Sequence, residues 1–304
     1  MDLRVLCSGG DAPGMNAALW RLAQGAAARG WRAQVVPFGF AGLLDGATTP
    51  LTEATAAPFA RAGGAWPGVA RVPDFAARLD AAVAGLGAAD GLVVLGGNGS
   101  LAAAAALARA WGRPVVAIPA TIDNDIGGTD ITLGHDSAVA YGVRAADRLA
   151  DTAAARPALF CLETLGGASG HLAAAIGGLA GADAVLLPER AVDAAKVALA
   201  LGQAAPGLIV AGEGVPDLRG VLAEICRLAG QPLRLTVLGH AQRGGAPGPR
   251  DRALAARWAE IALDGVAAGE SGFAARVAGA AGLRPFAALT PPPPPDPAMP
   301  RGLL

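Results

Sequence analysis

Two aspartates in the stretch Pro119–Asp125 are the residues best placed to do chemistry. Asp123 and Asp125 follow the apolar run Val115–Ile118, which predicts a buried parallel strand. Open α/β sheets bind their ligands at the carboxyl ends of such strands. Carboxylates this close raise one another's pKa, and together with substrate phosphates they could hold Mg²⁺ while one accepts a hydroxyl proton. The same residue types also favour an ordinary hydrogen-bonded turn, so both interpretations stay open.

Two glycine-rich turns each follow a predicted strand and precede a predicted helix. They are Ser8–Asn16 and Gly96–Ser100, and Ser100 is predicted to be the N-cap of the second helix. Glycine lets the backbone approach a ligand closely, and a helix N-terminus offers free N–H groups to phosphate. The first turn is neither a Walker A loop nor a G-x-G-x-x-G fingerprint. The two turns and the aspartate stretch, all expected on one sheet edge, together indicate a phosphate site.

Cationic side chains gather in Leu238–Gly245, where His240 and Arg243 stand beside a glycine turn and Arg234 lies upstream. Guanidinium groups bind phosphate bidentately, so this set would suit a sugar phosphate. Taken singly, His240 is equally consistent with a turn residue and Arg234 with an exposed strand charge.

The composition of the 304-residue chain excludes several classes of protein. It is 53% hydrophobic and 16% charged, with a formal net charge of -1. This balance gives no electrostatic basis for binding nucleic acid or an anionic membrane. The three cysteines are too dispersed for a disulfide framework or a zinc site, and no apolar run reaches the length of a membrane span. We therefore expect a soluble, cytoplasmic protein without a signal peptide.

Apolar runs alternate with helical patterns almost from end to end, which predicts parallel strands joined by crossover helices. The predicted strands are Leu3–Cys7, Gln34–Phe38, Leu92–Leu95, Val115–Ile118, Leu159–Leu162, Ala184–Leu187, Leu208–Ala211 and Leu233–Leu238. Eight strands would also suit a (β/α)₈ barrel. The site-like turns fall into two groups along the chain, however, which favours an α/β fold of two Rossmann-like lobes with mainly parallel sheets.

The predicted division of the chain has three parts. Residues 1–134 and 247–285 form a nucleotide-binding lobe, and residues 135–246 form a sugar-phosphate-binding lobe. The proline run Pro291–Pro295 cannot form helix or sheet. Residues 286–304 are therefore predicted to be an extended tail.

Four motifs, in this order, carry a resemblance to one enzyme family: Gly9–Ala18, Gly96–Ser100, Pro119–Asp125 and Leu238–Gly245. They resemble 6-phosphofructokinases of the bacterial ATP-dependent type, and the similarity extends over residues 3–266. The resemblance implies phosphorylation of fructose 6-phosphate to fructose 1,6-bisphosphate in glycolysis, with ATP and Mg²⁺. It also implies a homotetramer whose active sites are shared between subunits.

The resemblance also implies a role for each matching residue. Asp123 looks like the base that takes the proton of the sugar 1-hydroxyl, aided by Thr121 and Arg71. The nucleotide would lie on Gly10, Phe40, Arg71, Gly97, Asn98, Gly99 and Ser100. The substrate would contact Thr121, Asp123, Asp125, Leu165, Glu213, Arg234, His240 and Arg243, with Arg234 reaching across from a neighbouring subunit. Asn98 and Asp125 would serve the metal.

Several site positions depart from the family pattern. Asn98 stands where the family usually has Asp, and an amide oxygen brings no charge to the metal. Gly167 replaces an arginine that contacts the transferred phosphate, and such an arginine is worth ~10³-fold or more in rate. Ala158 replaces a second phosphate-binding arginine. Arg156 and Arg190 are the candidates to replace the lost groups.

Other positions bear on regulation and on the phosphoryl donor. Trp20, Gln24 and Ala150 stand where the family has effector-binding arginines, so we predict that control by ADP and phosphoenolpyruvate is absent or altered. The pyrophosphate-using branch typically has Asp and Lys where this chain has Gly99 and Ala120. Small residues leave room for the adenylate, which favours ATP.

Two alternative functions stay open. One is a kinase for another sugar phosphate, or a pyrophosphate-dependent version of the same reaction. The other is a weakly active regulatory homologue that binds a nucleotide or a sugar phosphate. Retention of Asp123 and Arg71 argues against the regulatory homologue, whereas Asn98 and Gly167 argue for it.

Overall fold

Apolar runs form the strands of two separate sheets in the computed structural model, which describes residues 1–155, 158–202 and 207–298. The strands among these residues are β1 (Asp2–Cys7), β2 (Arg32–Val36), β3 (Thr49–Pro50), β4 (Gly91–Gly96), β5 (Val115–Thr121), β6 (Leu133–Gly134), β7 (Leu159–Thr164), β8 (Ala184–Leu186), β9 (Leu208–Gly212), β10 (Leu233–Val237), β11 (Gly272–Val277) and β12 (Ala280–Arg284). The α-helices are α1 (Met15–Ala28), α2 (Phe40–Leu44), α3 (Glu53–Ala56), α4 (Leu79–Leu86), α5 (Asn98–Trp111), α6 (His135–Ala155), α7 (His171–Ala180), α8 (Ala194–Leu201), α9 (Leu218–Ala229) and α10 (Pro249–Ala267). Short 3-10 helices lie at Ala57–Phe59, Phe75–Arg78, Gly239–Arg243 and Phe286–Ala288.

The first sheet has the strand order β12-β11-β5-β4-β1-β2-β3, and β6 pairs with β5. Its central strands are parallel, so that Leu6 of β1 lies opposite Val36 of β2 and Val94 of β4. Every residue of β4 and β5 is buried. Strands covered on both faces need apolar residues throughout, which is why the sequence predicts these two so clearly.

The second sheet contains four parallel strands among the described residues, in the order β10-β7-β9-β8. Two separate sheets with crossover helices confirm the predicted α/β fold. The barrel alternative is wrong, because a barrel would close the parallel strands into one continuous sheet.

Four strands escape the prediction, namely β3, β6, β11 and β12. The first two contain only two residues each. β11 and β12 form an antiparallel hairpin in which Phe273 lies opposite Arg284, but their many alanines and glycines hide the two-residue periodicity of a strand. One strand was predicted too far along the chain: the strand expected over Gln34–Phe38 ends at Val36, and Phe38 lies in a turn.

The chain divides into two compact units. The first contains Met1–Ser137 and Arg243–Pro292, and the second contains Ala138–Gln242 and the residues from Pro293 onward. The boundaries predicted after residues 134, 246 and 285 lie a few residues from these. Among the helices that the structure describes, none is long and apolar enough to cross a membrane.

The described part of the tail is packed, which differs from the expectation of an extended terminus. The 3-10 helix Phe286–Ala288 lies against the core of the first unit, and the rings of Phe286 and Phe273 stack with centroids 6.5 Å apart. Further along, Arg190 donates a hydrogen bond to the carbonyl of Pro295 at 3.3 Å. The proline run itself has neither helix nor strand, as its composition predicts. Residues 299–304 lie outside the described part of the chain.

The carboxylate of Asp251, which is fully buried, joins α10 to the start of α6. Its Oδ1 accepts a hydrogen bond from the backbone N–H of Gly134 at 2.8 Å, and its Oδ2 accepts from the backbone N–H and the hydroxyl of Ser137 at 2.9 and 2.5 Å. The first N–H groups of a helix have no partner within it, so Asp251 caps α6 from another helix. Burial raises the pKa of Asp251 from 3.8 to about 6, against the opposing effect of these hydrogen bonds.

We expect Asp251→Asn to change the pH dependence of stability. Between pH 4 and 6 the native carboxyl keeps a proton that the unfolded chain releases. The protonated carboxyl therefore stabilises the native state below pH 4, and this contribution is lost as the pH rises to 6. Over this range the free energy of unfolding of the unmodified protein should fall by roughly 3 kcal/mol relative to that of D251N. Urea titrations of both proteins from pH 4 to pH 7 measure this difference, and a constant difference would contradict the raised pKa.

Candidate active site

The cleft of the first unit lies at the carboxyl ends of β1, β4 and β5 and has a volume of about 370 Å³. These strand ends are adjacent because the strands are parallel and in register, with Cys7 opposite Leu95 and Leu95 opposite Ile118. The turns that follow the strands therefore face one space. The predicted site residues that line it are Gly10, Phe40, Arg71, Gly97, Asn98, Gly99, Ser100, Thr121, Asp123, Asp125 and Arg243.

The turn after β1 brings the backbone close to an arginine. A Cβ at Gly10 would lie 2.7 Å from Nη1 of Arg243, so a larger residue here would displace this guanidinium. The same Nη1 donates a hydrogen bond to the carbonyl of Asp11 at 3.3 Å. Arg243 thus packs with the first unit and lines its cleft, whereas the predicted division placed it in the sugar-phosphate lobe.

The turn after β4 leads into α5 earlier than the sequence predicts. The helix begins at Asn98 with Gly97 as the N-cap, so the prediction of Ser100 as N-cap is wrong. Ser100 is buried in the first turn, and a Cβ at Gly96 would lie 2.5 Å from its Oγ. The hydroxyl packs under the strand end, which leaves the backbone N–H groups of the first turn beside the cleft. Such groups are well suited to bind phosphate.

The aspartate stretch begins inside the sheet, because β5 continues through Thr121. The hydroxyl of Thr121 accepts a hydrogen bond from the backbone N–H of Asp123 at 3.2 Å. Asn124 is buried and has a left-handed backbone with φ 50°. Its Oδ1 accepts from the N–H of Thr132 at 2.8 Å, and its Nδ2 donates to the carbonyl of Asp130 at 3.2 Å. The turn interpretation therefore holds for Asn124, while Asp123 and its neighbour Asp125 line the cleft.

The two predicted metal ligands contact each other. Nδ2 of Asn98 donates hydrogen bonds to Oδ2 of Asp125 at 2.8 Å and to its carbonyl at 3.3 Å. Because the amide is neutral, Asn98 adds no charge to this pair. Within the described residues, no group of three or more His, Cys, Asp or Glu side chains could hold a metal ion. A metal at Asn98 and Asp125 would need further ligands from the substrate.

Aromatic and aliphatic side chains form the apolar part of the cleft. Phe40 is buried at the start of α2, and its ring lies against that of Phe75, with centroids 4.4 Å apart and planes tilted by 39°. Phe75 and Val72 also line the cleft, and sequence reasoning missed both. Their signal was available, since Val72 follows the predicted Arg71 by one residue and Phe75 follows it by four. Arg71 itself is exposed.

The second unit holds the remaining predicted site residues. The backbone N–H of Leu165 donates to Oε1 of the buried Gln242 at 2.7 Å. Glu213 accepts a hydrogen bond from the N–H of Gly167 at 2.8 Å, so one of its carboxylate oxygens holds the loop after β7. Arg234, on β10, and His240, in the 3-10 helix Gly239–Arg243, are both exposed.

Comparison with known proteins decides the family. A family model described as Phosphofructokinase matches residues 2–266. The chain belongs to the phosphofructokinase family. A Thermus thermophilus relative named ATP-dependent 6-phosphofructokinase 1 is 39% identical over 279 residues, which are 88% of this chain and 87% of the relative. A Lactobacillus delbrueckii subsp. bulgaricus relative named ATP-dependent 6-phosphofructokinase is 37% identical over 280 residues, 89% of this chain and 87% of the relative. These matches confirm the resemblance found in the sequence.

Solved phosphofructokinase structures share the fold. Pichia pastoris phosphofructokinase in the T-state superimposes with a TM-score of 0.86 at 28% identity, covering 94% of this chain and 35% of that chain. This chain therefore spans about a third of the length of the yeast protein. The pyrophosphate-dependent phosphofructokinase of Marinobacter aquaeolei gives a TM-score of 0.85 at 19% identity, covering 99% of this chain and 88% of that chain. At such an identity the likeness supports the fold alone.

The departures from the phosphofructokinase pattern have distinct surroundings. Gly167 has a left-handed backbone with φ 58°, and Ala158 is fully buried. Of the two candidate replacements, Arg190 donates to Pro295, and Arg156 lies outside the described residues. Gln24 donates to Oε1 of Glu53 at 2.8 Å. Altered effector control stays a prediction.

Asn124→Ala should destabilise the phosphofructokinase fold by roughly 2 kcal/mol, because it removes the acceptor of a buried N–H and puts alanine in a left-handed conformation. Asn124→Gly separates the two effects, since glycine adopts this backbone freely. We expect N124G to recover part, but not all, of the stability that N124A loses. Urea unfolding of the three proteins measures this order, and an N124A protein as stable as the unmodified one would show that the hydrogen bonds contribute nothing.

Proposed function

We propose that the protein transfers the γ-phosphoryl group of Mg-ATP to the 1-hydroxyl of fructose 6-phosphate, giving fructose 1,6-bisphosphate. The observation that carries the proposal is the arrangement of the first-unit cleft. Asp123 and Thr121 lie there beside the N-terminus of α5 and the guanidiniums of Arg71 and Arg243. The relatives named ATP-dependent 6-phosphofructokinase, at 37% and 39% identity, support the same reaction.

Asp123 acts as the general base in this mechanism. Its carboxylate accepts the proton of the sugar hydroxyl as that oxygen forms a bond to the γ-phosphorus. The bond from this phosphorus to the bridging oxygen breaks, and ADP leaves with the electron pair. Phosphoryl transfer depends mainly on positioning and on cancelling charge. Arg71, Arg243 and the N–H groups at the start of α5 supply that cancellation.

Space in the cleft favours ATP over pyrophosphate as the donor. A Cβ at Gly99 would meet no atom within 4 Å, and Ala120 contributes only a methyl group. Phe40 and Phe75 give the cleft an apolar wall against which an adenine ring fits. Pyrophosphate, which has no base, would leave that wall uncovered.

The residues present fit Mg²⁺ only in company with the nucleotide. The Asn98 amide and the Asp125 carboxylate are oxygen-bearing groups of the kind Mg²⁺ takes, and Mg²⁺ is usually held by one or two carboxylates together with substrate phosphates. When bound, the ion would neutralise charge on the transferred phosphoryl group. Asn98 and Asp125 would hold it on the protein side.

The exposed positions of Arg234 and His240 support a role in a shared active site of a homotetramer. An exposed guanidinium on a strand can reach a neighbouring subunit's sugar phosphate. We propose the homotetramer on this basis, with His240 binding the 6-phosphate of the sugar.

Asp123→Asn should lower kcat by about 10² to 10⁴, because the amide cannot accept the hydroxyl proton. The test measures bisphosphate formation from fructose 6-phosphate and Mg²⁺ with ATP or with pyrophosphate. Asp80→Asn, which changes an exposed carboxylate on α4, is the matched control and should leave kcat unchanged. Activity with ATP that survives in D123N would remove the base from the mechanism. Turnover with pyrophosphate alone, or binding of ATP without turnover, would favour one of the alternative functions.

Asn98→Asp should strengthen the dependence of the protein on Mg²⁺. Without metal, a second carboxylate would repel Asp125 and lower the thermal unfolding temperature, and Mg-ATP should restore it. The free Mg²⁺ concentration that gives half-maximal protection at a fixed ATP concentration should fall several-fold. Thermal unfolding with ATP across a Mg²⁺ series measures both effects, with N98A as the control that brings no charge. Equal Mg²⁺ midpoints for N98D and N98A would place the metal elsewhere.

A further inference from the structure

Phe38 combines two unfavourable features. Its backbone is left-handed, with φ 54°, and its side chain is 59% exposed. Among the described residues, the other non-glycine positions with positive φ are Asp74, Asn124, Asp217 and Ala278, all smaller. A bulky aromatic residue in this conformation is strained, and little burial offsets the strain. Such an outlier points to a function for the side chain.

Phe38 contacts one segment of the first unit at two points. Its backbone N–H donates a hydrogen bond to the carbonyl of Pro67 at 3.0 Å. Its ring lies directly on Gly68, where a Cβ would be 2.6 Å from Cδ1 and 2.7 Å from Cε1. The left-handed backbone of Phe38 turns the ring toward this segment and away from the strand it follows. Gly68 is itself left-handed, with φ 80°.

The segment 61–72 has no helix or strand, so contacts with other parts of the first unit must hold it in place. Asn16 holds its first half: Nδ2 donates to the carbonyl of Gly63 at 2.9 Å, and Oδ1 accepts from the N–H of Trp66 at 2.7 Å. Phe38 holds the middle. Beyond Gly68, the one backbone hydrogen bond among the described contacts is long, from the N–H of Gly9 to the carbonyl of Ala70 at 3.5 Å. Arg71 follows immediately and points its exposed side chain to the cleft.

We propose that Phe38 is a positioning residue, which fixes the segment 66–71 and thereby places the Arg71 guanidinium at the cleft. Phe38 suits this task because Gly39 and Phe40 come next. A Cβ at Gly39 would lie 2.3 Å from the carbonyl oxygen of Cys7, so this turn packs on the end of β1. Phe38 therefore ties the Arg71 segment to the turn that carries the aromatic wall. The inference rests on the function proposed above for Arg71.

Phe38→Gly tests the proposal, because glycine removes the ring and relieves the strain at the same position. The thermal unfolding temperature should stay within about 5 °C of the unmodified protein, whereas kcat/KM for Mg-ATP should fall about tenfold to a hundredfold. Ala278→Gly is the matched control, since it relieves a similar strain, at φ 50°, in the β11–β12 turn. It should leave kcat/KM unchanged. Tryptic cleavage after Arg71 should be faster in F38G than in A278G.

Combination with Arg71→Ala distinguishes positioning from a general structural effect. If Phe38 acts through Arg71, F38G should lower kcat/KM by less than about twofold in the R71A background. Full additivity of the two losses, or an F38G protein with unchanged kcat/KM, would overturn the proposal. An R71A protein with unchanged kcat/KM would instead refute the role proposed for Arg71. If trypsin cleaves F38G after Arg71 no faster than it cleaves A278G, the ring does not hold the segment.

Discussion

The parallel register of β1, β4 and β5 is the constraint on which the site depends. Since Cys7 lies opposite Leu95, and Leu95 opposite Ile118, the three strands end at one level of the sheet. Each turn that follows must then face the same space. The sheet supplies only position, because its residues here are apolar and buried. Chemistry enters in the few residues after each strand, which is where an open α/β sheet leaves room for a ligand.

Close approach of the backbone limits which residues these turns accept. A Cβ at Gly96 would collide with the buried Ser100 and with the carbonyl of Ser8, and a Cβ at Gly10 would displace the Arg243 guanidinium. At Asn124 the left-handed backbone is instead stabilised by side-chain hydrogen bonds to Thr132 and Asp130. The loop can therefore present a carboxylate on each side of Asn124 without regular secondary structure. The rigidity of the turn follows from the middle residue, and its chemistry from the two neighbours.

The buried parallel strands and the site turns that follow them could be predicted from the sequence. Buried parallel strands need unbroken apolar runs, so Val115–Ile118 predicts a strand. The polar residues that follow it predict the site, because few residue types can perform that chemistry. Alanine-rich segments were not informative, because alanine fits helix, strand and core alike; the β11–β12 hairpin was missed for this reason. Ser100 was misassigned since a good N-cap residue also packs well inside a first turn. Arg243 was assigned to the wrong unit because its contact with Gly10 joins residues far apart in the chain.

Gly167, where the family resemblance implies an arginine, lies in a loop with an unusual backbone conformation. Gly167 has φ 58°, a backbone conformation that arginine adopts only with strain, and its N–H is held by Glu213. A larger residue at this position would carry backbone strain, although a Cβ there would meet no atom within 4 Å. In the first unit, Arg71 and Arg243 are the cations among the described residues that line the cleft. In the mechanism proposed above, charge cancellation depends on these two guanidiniums, and so on the segment that carries Arg71 and the glycine turn that receives Arg243.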